Sequence, residues 1–243
     1  MARLFLLTAL TMTAFAANSL LNRAALIDGT TGPAAFGAIR LVSGALCLAL
    51  LVAIRQGLPS LASRKRLVGA TSLATYVVGF SFAYVALDAG VGALVLFGTV
   101  QLTMFTGAIV SGERPFMLRW AGSGLALLGL AWLVWPGMSD APPIGAALLM
   151  AAAGLGWGIY SLAGRGATDP LGDTAANFIC AAPLALLVWL ILPDGMTGVG
   201  ALLAVLSGAV TSGLGYALWY SLLPRMAETI AALVQLTVPV IAV

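Results

Sequence analysis

Charge is scarce in this 243-residue chain, where Asp, Glu, Lys and Arg make up 8% against about 25% in a typical soluble domain. Hydrophobic residues reach 61% and mean hydropathy is +1.08. Too few charges remain to clothe a water-facing surface, which excludes an ordinary soluble globule and a disordered chain. Histidine is absent, which removes the commonest general base and the commonest metal ligand. The sole lysine, Lys65, stands in the only basic run, Arg64-Lys65-Arg66, between two apolar segments. A retinal-type Schiff base would need a lysine inside a span, and a nucleic-acid footprint would need a basic stripe. Cys47 and Cys180 lie far apart inside apolar runs, without metal or redox spacing, and read as small core hydrophobes. No cofactor, metal centre or enzymatic constellation is expected.

What the chain does contain is a succession of apolar runs separated by short polar breaks. Spans are predicted over 4–22, 33–54, 67–87, 89–111, 116–135, 144–163, 174–192, 200–222 and 226–243. Each gives ~18–23 residues, or ~27–35 Å of helix, matched to a hydrocarbon core of about 30 Å. The runs are continuous rather than alternating, which favours helices over barrel strands. The breaks carry turn residues: Asp28-Gly29, Pro59-Ser60, Pro136-Gly137, Pro142-Pro143, Asp169-Pro170 and Pro193-Asp194-Gly195. Almost nothing joins spans three and four around Asp88, so a tight antiparallel hairpin is expected there.

Arg3 followed by an apolar run and Ala14-Phe15-Ala16 has the outline of a signal peptide. The run continues past that site, however, and a later segment repeats it, so a mature span is expected. Arg3, Arg55, Arg64, Lys65, Arg66, Arg114, Arg119, Arg165 and Arg225 fall on one side of the alternating layout, and only Arg23 on the other. The positive-inside rule then puts the N-terminus in the cytoplasm.

Val100-Gln101-Leu102-Thr103 recurs as Val234-Gln235-Leu236-Thr237. Tyr84-Val85-Ala86-Leu87 aligns with Tyr220-Ser221-Leu222-Leu223, and Ser19-Leu20-Leu21-Asn22-Arg23 with Ser161-Leu162-Ala163-Gly164-Arg165. Their order and nearly constant offset make span one the mate of span six, and spans three and four the mates of eight and nine. The unit is five helices. An odd unit inverts its second copy in the membrane, which is a transporter architecture with its site near mid-membrane. The expected fold is therefore an all-α membrane protein of ten helices in two inverted five-helix repeats, residues 1–137 and 138–243. Nine spans are present, and a tenth helix is expected beyond Val243.

These motifs are similar to a known family. Ser111-Gly112-Glu113-Arg114-Pro115 with Gly122-Ser123-Gly124-Leu125-Ala126-Leu127-Leu128-Gly129 resembles the end of an EamA-type repeat of the drug/metabolite transporter superfamily. Phe36-Gly37-Ala38-Ile39-Arg40-Leu41 resembles its second helix, and Gly156-Trp157-Gly158-Ile159-Tyr160-Ser161 the start of its second repeat. The resemblance implies both termini in the cytoplasm and a central cavity lined by helices one, three, four, six, eight and nine. It also implies a bacterial inner-membrane exporter of amino acids, with the aromatic amino-acid exporters as the most similar branch.

Gln101 and Gln235 sit near the middle of spans four and nine, where an amide needs partners. They serve either as interhelical glue or as cavity groups for substrate, and Pro239 would free the Gln235 carbonyl. Tyr76, Phe80 and Tyr84 form one stripe of span three; Trp157 with Tyr160, and Tyr216 with Tyr220, form similar faces. Such stripes either pack or line a cavity suited to apolar and aromatic side chains. Trp132, Trp135 and Trp189 fit an interfacial belt. Arg40, roughly 10 Å inside span two, either snorkels or packs, or contacts a substrate carboxylate. Asn18 and Asn22 would polarise the cavity or its mouth, Asn177 would contact a helix, and Glu113 would support a helix start. No carboxylate lies at mid-span, which leans toward facilitated diffusion. Gly154-x-x-x-Gly158 is a close-approach pattern, and Pro183 and Pro239 are kink sites.

The reading is a monomeric alternating-access exporter of amino acids such as threonine, methionine and aromatic residues, and of related small metabolites. Its partners are these substrates and the bilayer, not nucleic acid. The rivals are a lipid-carrier or metabolite flippase of the same fold and, lacking any nucleophile–base pair, an intramembrane enzyme.

Overall fold

The computed structural model describes residues 2–55, 61, 63–112, 117–133 and 142–242, and its regular structure there is helical throughout. Glu113, Trp135 and the Pro59-Ser60 and Pro136-Gly137 breaks lie outside the described residues. The helices are α1 (Ala2–Leu26), α2 (Pro33–Arg55), α3 (Arg64–Ala83), α4 (Ala89–Val110), α5 (Met117–Leu133), α6 (Ile144–Gly164) and α7 (Pro170–Ile191). Then come α8 (Gly198–Leu206), a π-helical stretch (Ser207–Leu214) and α9 (Gly215–Leu222), continued by a 3-10 turn at Leu223–Arg225. The last elements are α10 (Glu228–Gln235) and α11 (Val238–Ile241). Helices close their own backbone hydrogen bonds, which is what a hydrocarbon solvent demands.

Among the described residues seven helices are long and apolar enough to cross a membrane: α1 to α4, α6, α7, and the continuous run Gly198–Arg225. This is a multi-pass membrane protein. Of the nine predicted spans, the remaining two are shorter among the described residues: α5 has 17 residues, and Glu228–Ile241 is interrupted. The interruption falls at Leu236 and Thr237, whose N–H groups donate to Leu233 and Val234. Pro239, which has no N–H to continue an α-helical ladder, follows directly. Pro183, by contrast, is carried inside α7.

Local signals account for several starts. Ser63 accepts from Arg66 N at 3.2 Å, Asp169 from Gly172 N at 3.1 Å with Pro170 following, and Thr197 from Gly200 N at 3.0 Å. At the other end of α4, Gly112 takes φ +87°, a left-handed conformation that glycine adopts without penalty. In the loop after α1, Asp28 accepts from the Thr30 N–H and hydroxyl. The backbone bond first, and then the hydroxyl, hold its carboxyl below the usual carboxylate range.

The registers fix the direction of every helix around the core. Arg66 pairs with Asp173 and Gly69 meets Asn177, so α3 and α7 run in parallel. Gly156 meets Ser72 while Gly79 meets Leu149, so α6 runs against α3. Thr99 lies on Gly154, Thr103 on Gly158 and Leu162 on Gly107, so α4 runs with α6. Ala34 reaches Asp194 while Gly44 meets Phe178, which sets α2 against α7. Thr31 meets Gly200 and Arg40 meets Gly208, so α8 follows α2. Asn18 bonds Ser207 while Phe15 touches Trp219, so α1 opposes the run from α8 to α9. Gln235 lies by Met104, and Pro239 beside Val91, so α10 opposes α4. Hence α1, α3, α7 and α10 run one way and α2, α4, α6 and α8–α9 the other.

The tight α3–α4 hairpin expected from their short link does not form. The two helices are not packed along each other; both pack on α6 instead. The reason is the glycine face of α6. A Cβ on Gly156 would stand 2.7 Å from the Ser72 carbonyl of α3, and one on Gly154 would stand 2.6 Å from the Leu96 carbonyl of α4. Backbones that approach this closely leave α6 wedged between its two neighbours.

Candidate functional site

The middle of the bundle is polar. Asn18, Asn22, Arg40, Ser81, Ser207, Ser212 and Gln235 are all buried, and a polar group at such depth needs partners. Most find them across helices. The Asn18 carbonyl accepts from Ser207 at 2.8 Å, from Ser212 at 3.2 Å and from Thr211. Its amide donates to the Tyr216 hydroxyl at 3.4 Å. α1 is thereby tied to the π-helical stretch.

Arg40 is the centre of this network. It does not snorkel: the residue is 0% exposed, and its guanidinium turns inward. Nε donates to Ser212 Oγ at 2.9 Å. Nη2 donates to the Tyr216 hydroxyl at 2.7 Å and to the Tyr76 hydroxyl at 3.1 Å. The Tyr216 hydroxyl donates in turn to Tyr76 at 3.1 Å. The guanidinium carbon lies 5.3 Å from the Tyr76 ring centre and 5.0 Å from that of Phe80, within cation–π range. Nη1 has no hydrogen-bond partner. Among the described residues the cation has no carboxylate either: Asp28, Asp88, Asp169, Asp173, Asp194 and Glu228 all sit in loops or at helix starts.

Aromatic rings wall the cluster. Trp157 lies 4.5 Å from Tyr216 and 5.1 Å from both Phe15 and Tyr76, centre to centre. Its indole N–H donates to Gln235 Oε1 at 2.7 Å, and the Gln235 amide donates to the Ala231 carbonyl and Met104 sulfur. Gln235 is thus committed to protein partners from three helices.

The other sequence-predicted residues form layers on either side. Toward the Arg23 end, Asn22 donates to Ser81 at 3.2 Å and the Tyr84 hydroxyl to the Ala89 carbonyl at 3.1 Å. Toward the Arg66 end, the Tyr220 hydroxyl donates to the Tyr160 carbonyl at 2.8 Å, the rings being 4.8 Å apart. Gln101 is buried at 6% exposure but joins none of these bonds, and its Oε1 has no partner. The structure therefore brings Asn18, Arg40, Tyr76, Phe80, Trp157, Tyr216 and Gln235 together, flanks them with Asn22, Tyr84, Tyr160 and Tyr220, and leaves Gln101 outside.

Sequence reasoning missed Ser207, Thr211 and Ser212. They are polar residues within a mostly apolar span and stand near Tyr216, which was the available signal. Their spacing hid it: Ser207 and Ser212 are five apart, on different faces of an α-helix, yet both reach Asn18. The wider turn of the π-helical stretch aligns them.

The two ends of the bundle differ. At the Arg23 end the loops before α2 and α8 are stitched together. Asp194 accepts from Ala34 N at 2.8 Å and Ala35 N at 2.9 Å, Gly32 N donates to the Gly195 carbonyl at 2.7 Å, and the Thr31 and Thr197 hydroxyls meet at 2.8 Å. At the Arg66 end a cleft of about 210 Å³ opens among Lys65, Arg66, Asp173, Asn177 and Tyr220. Tyr220 lines the cleft, and its ring is tilted 31° to that of Tyr160.

No family model matches the sequence. The chain is 50% identical over 242 residues to an uncharacterized protein of Pseudomonas aeruginosa, a match that covers 99% of this chain and 84% of that protein. A crystal structure of another protein superposes with a TM-score of 0.75 at 21% identity, covering 99% of this chain and 86% of the other. That likeness concerns the fold alone.

Proposed function

This chain belongs to the family of that Pseudomonas aeruginosa protein, and we propose that it is a transporter of the drug/metabolite type, built from inverted repeats, that exports amino acids and related small metabolites. The observation that carries the reading is the buried Arg40–Tyr76–Tyr216–Asn18 cluster. It joins α1, α2 and α3 to the run from α8 to α9, and an inverted-repeat carrier would hold its substrate where its halves meet near mid-membrane. Intramembrane ionisable groups are expensive, and they mark function by default.

Helix direction supports the inverted repeat. Each proposed mate pair, α1 with α6, α2 with α7, α3 with α8–α9 and α4 with α10, runs in opposite senses. The packing exchanges accordingly: α3 on α6 is matched by α1 on α8–α9, and α3 on α7 by α2 on the π-helical stretch. So do the charges, since Arg23 at the end of α1 pairs with Asp88 before α4, while Arg165 beyond α6 pairs with Glu228 at the start of α10. Arg55, Arg64, Lys65, Arg66, Arg165 and Arg225 gather at one end, which favours a cytoplasmic assignment for the cleft and for the N-terminus. A cleft on that side and a stitched opposite side fit one state of an alternating-access cycle.

The test is counterflow of labelled threonine, methionine or phenylalanine into liposomes holding the purified protein. Uptake is expected, and Gln235→Ala, which removes the acceptor of the Trp157 indole, should impair it more than the surface change Leu46→Ala. Absence of uptake for every amino acid, with verified folded protein, would overturn the reading. A second reading has its own observation: an apolar groove of about 330 Å³ between α3 and α7, lined by Leu67, Ala70, Cys180 and Leu184, adjoins the cleft at Ser63 and Arg66. That lateral opening favours a lipid-carrier flippase, and scrambling of labelled lipid in the same liposomes without amino-acid counterflow would establish it.

A further inference from the structure

The hydrogen-bond inventory at Arg40 is one-sided, and the imbalance has a direction. A guanidinium offers five N–H donors and accepts nothing. Nε and Nη2 are used, on Ser212, Tyr76 and Tyr216, while both protons of Nη1 are left without an acceptor. The two tyrosine hydroxyls add to the surplus. Tyr216 accepts from Arg40 and Asn18 and donates to Tyr76; Tyr76 accepts from both Arg40 and Tyr216. One hydroxyl proton of this pair therefore has no acceptor in the network, whichever way the shared bond points. The neighbouring acceptors are spent: Asn18 Oδ1 takes three hydroxyls and Gln235 Oε1 takes the Trp157 indole. Three donor protons and one full positive charge are left over in a desolvated site.

What would complete such a site is a group that only accepts and carries negative charge. A carboxylate fits, with two oxygens set for the planar donors of an arginine. Nothing comparable awaits an ammonium group. Among the described residues no acid reaches the cluster, and unpartnered buried acceptors such as Ser19 Oγ, Asn22 Oδ1 and the Tyr160 hydroxyl are neutral. The rings of Phe15, Tyr76, Trp157 and Tyr216 supply apolar walls around the same point.

We propose that the cargo is recognised as a carboxylate with an aromatic or apolar body, and that its ammonium group is dispensable. The proposal rests on the transporter reading above but narrows it, because an amino acid and its deaminated analogue become equivalent at Arg40. Arg40 and the Tyr76 hydroxyl hold the carboxylate, and the ring of Trp157 lies against the body.

Three ligands of one skeleton decide the matter on the unmodified protein: 3-phenylpropionate, phenylalanine and phenethylamine. Each is titrated by calorimetry into the detergent-solubilised full chain and used as a competitor in counterflow. 3-Phenylpropionate should bind at least as well as phenylalanine, and phenethylamine should neither bind nor compete. Arg40→Gln should weaken 3-phenylpropionate binding about 10- to 100-fold, the loss of a charged hydrogen-bond partner. Arg40→Lys should recover part of it, and Tyr76→Phe should weaken binding to a smaller extent while leaving the guanidinium in place. If phenylalanine binds and 3-phenylpropionate does not, or if phenethylamine matches it, the carboxylate proposal fails and the transporter reading stands. If none of the three binds and no amino acid moves in counterflow, the transporter reading fails and takes this one with it.

Discussion

The close approach of α6 to α3 offers a decisive perturbation, because it adds one methyl group and replaces no polar side chain of the site. In Gly156→Ala the added Cβ would stand 2.7 Å from the Ser72 carbonyl oxygen, 3.0 Å from Tyr76 N and 3.4 Å from Thr75 Cβ. The obstacles are backbone atoms inside a helix and cannot rotate away, so the two helices must separate. An opening of ~0.5–1 Å forfeits a quarter to a half of each contact's attraction along the interface. Overpacking of this kind costs about 1–3 kcal/mol, or a fall of about 2–12 °C in midpoint for a chain of this size. Gly145→Ala is the control: it adds the same methyl to the same helix where nothing lies within 4 Å, and should be neutral or stabilising by about 0.4–1 kcal/mol. The assay is the fraction of protein that stays monodisperse after heating in detergent. Because the clash falls on Tyr76 N, Gly156→Ala should also reduce counterflow in surviving protein by loosening the Tyr76–Arg40 bond. Equal midpoints for the two variants would refute the claim that glycine sets this interface.

Other expectations follow from single contacts. Asp194→Ala removes the carboxylate that accepts from both Ala34 N and Ala35 N. It should lower stability by about 0.5–2 kcal/mol, as loss of a helix cap does, with Asp194→Asn intermediate in the same heating assay. Two of the three arginine pairs among the described residues, Arg23–Asp88 and Arg165–Glu228, should separate by burial. The Asp88 side chain is 83% exposed, so Asp88→Asn should cost no more than about 1 kcal/mol. The Glu228 side chain is 11% exposed and 2.9 Å from Arg165. Glu228→Gln should therefore cost more, up to about 3 kcal/mol, and the Arg165→Gln double variant should recover part of the loss. A cycle with no coupling between Arg165 and Glu228 would contradict this.

The sequence by itself determined the solvent and the helices, because 8% charge and runs of hydrocarbon length leave no other arrangement that satisfies the backbone. It also picked out Arg40, Tyr76, Trp157 and Tyr216, because polar or aromatic residues inside such runs stand out from their neighbours. Partnership lay beyond it. The short link after Tyr84 suggested a hairpin, but glycines distant in sequence, on α6, drew α3 and α4 apart. Ser207 and Ser212 do not share a face at 3.6 residues per turn, and only the π-helical stretch packed on α2 lets both reach Asn18. Arg40 had two readings in the sequence, outward to the interface or inward to a partner. Its direction was decided by hydroxyls at Tyr76, Ser212 and Tyr216, residues up to 176 positions away. Local periodicity reports which atoms must leave water; which atoms they then meet depends on backbone separations that no single segment encodes.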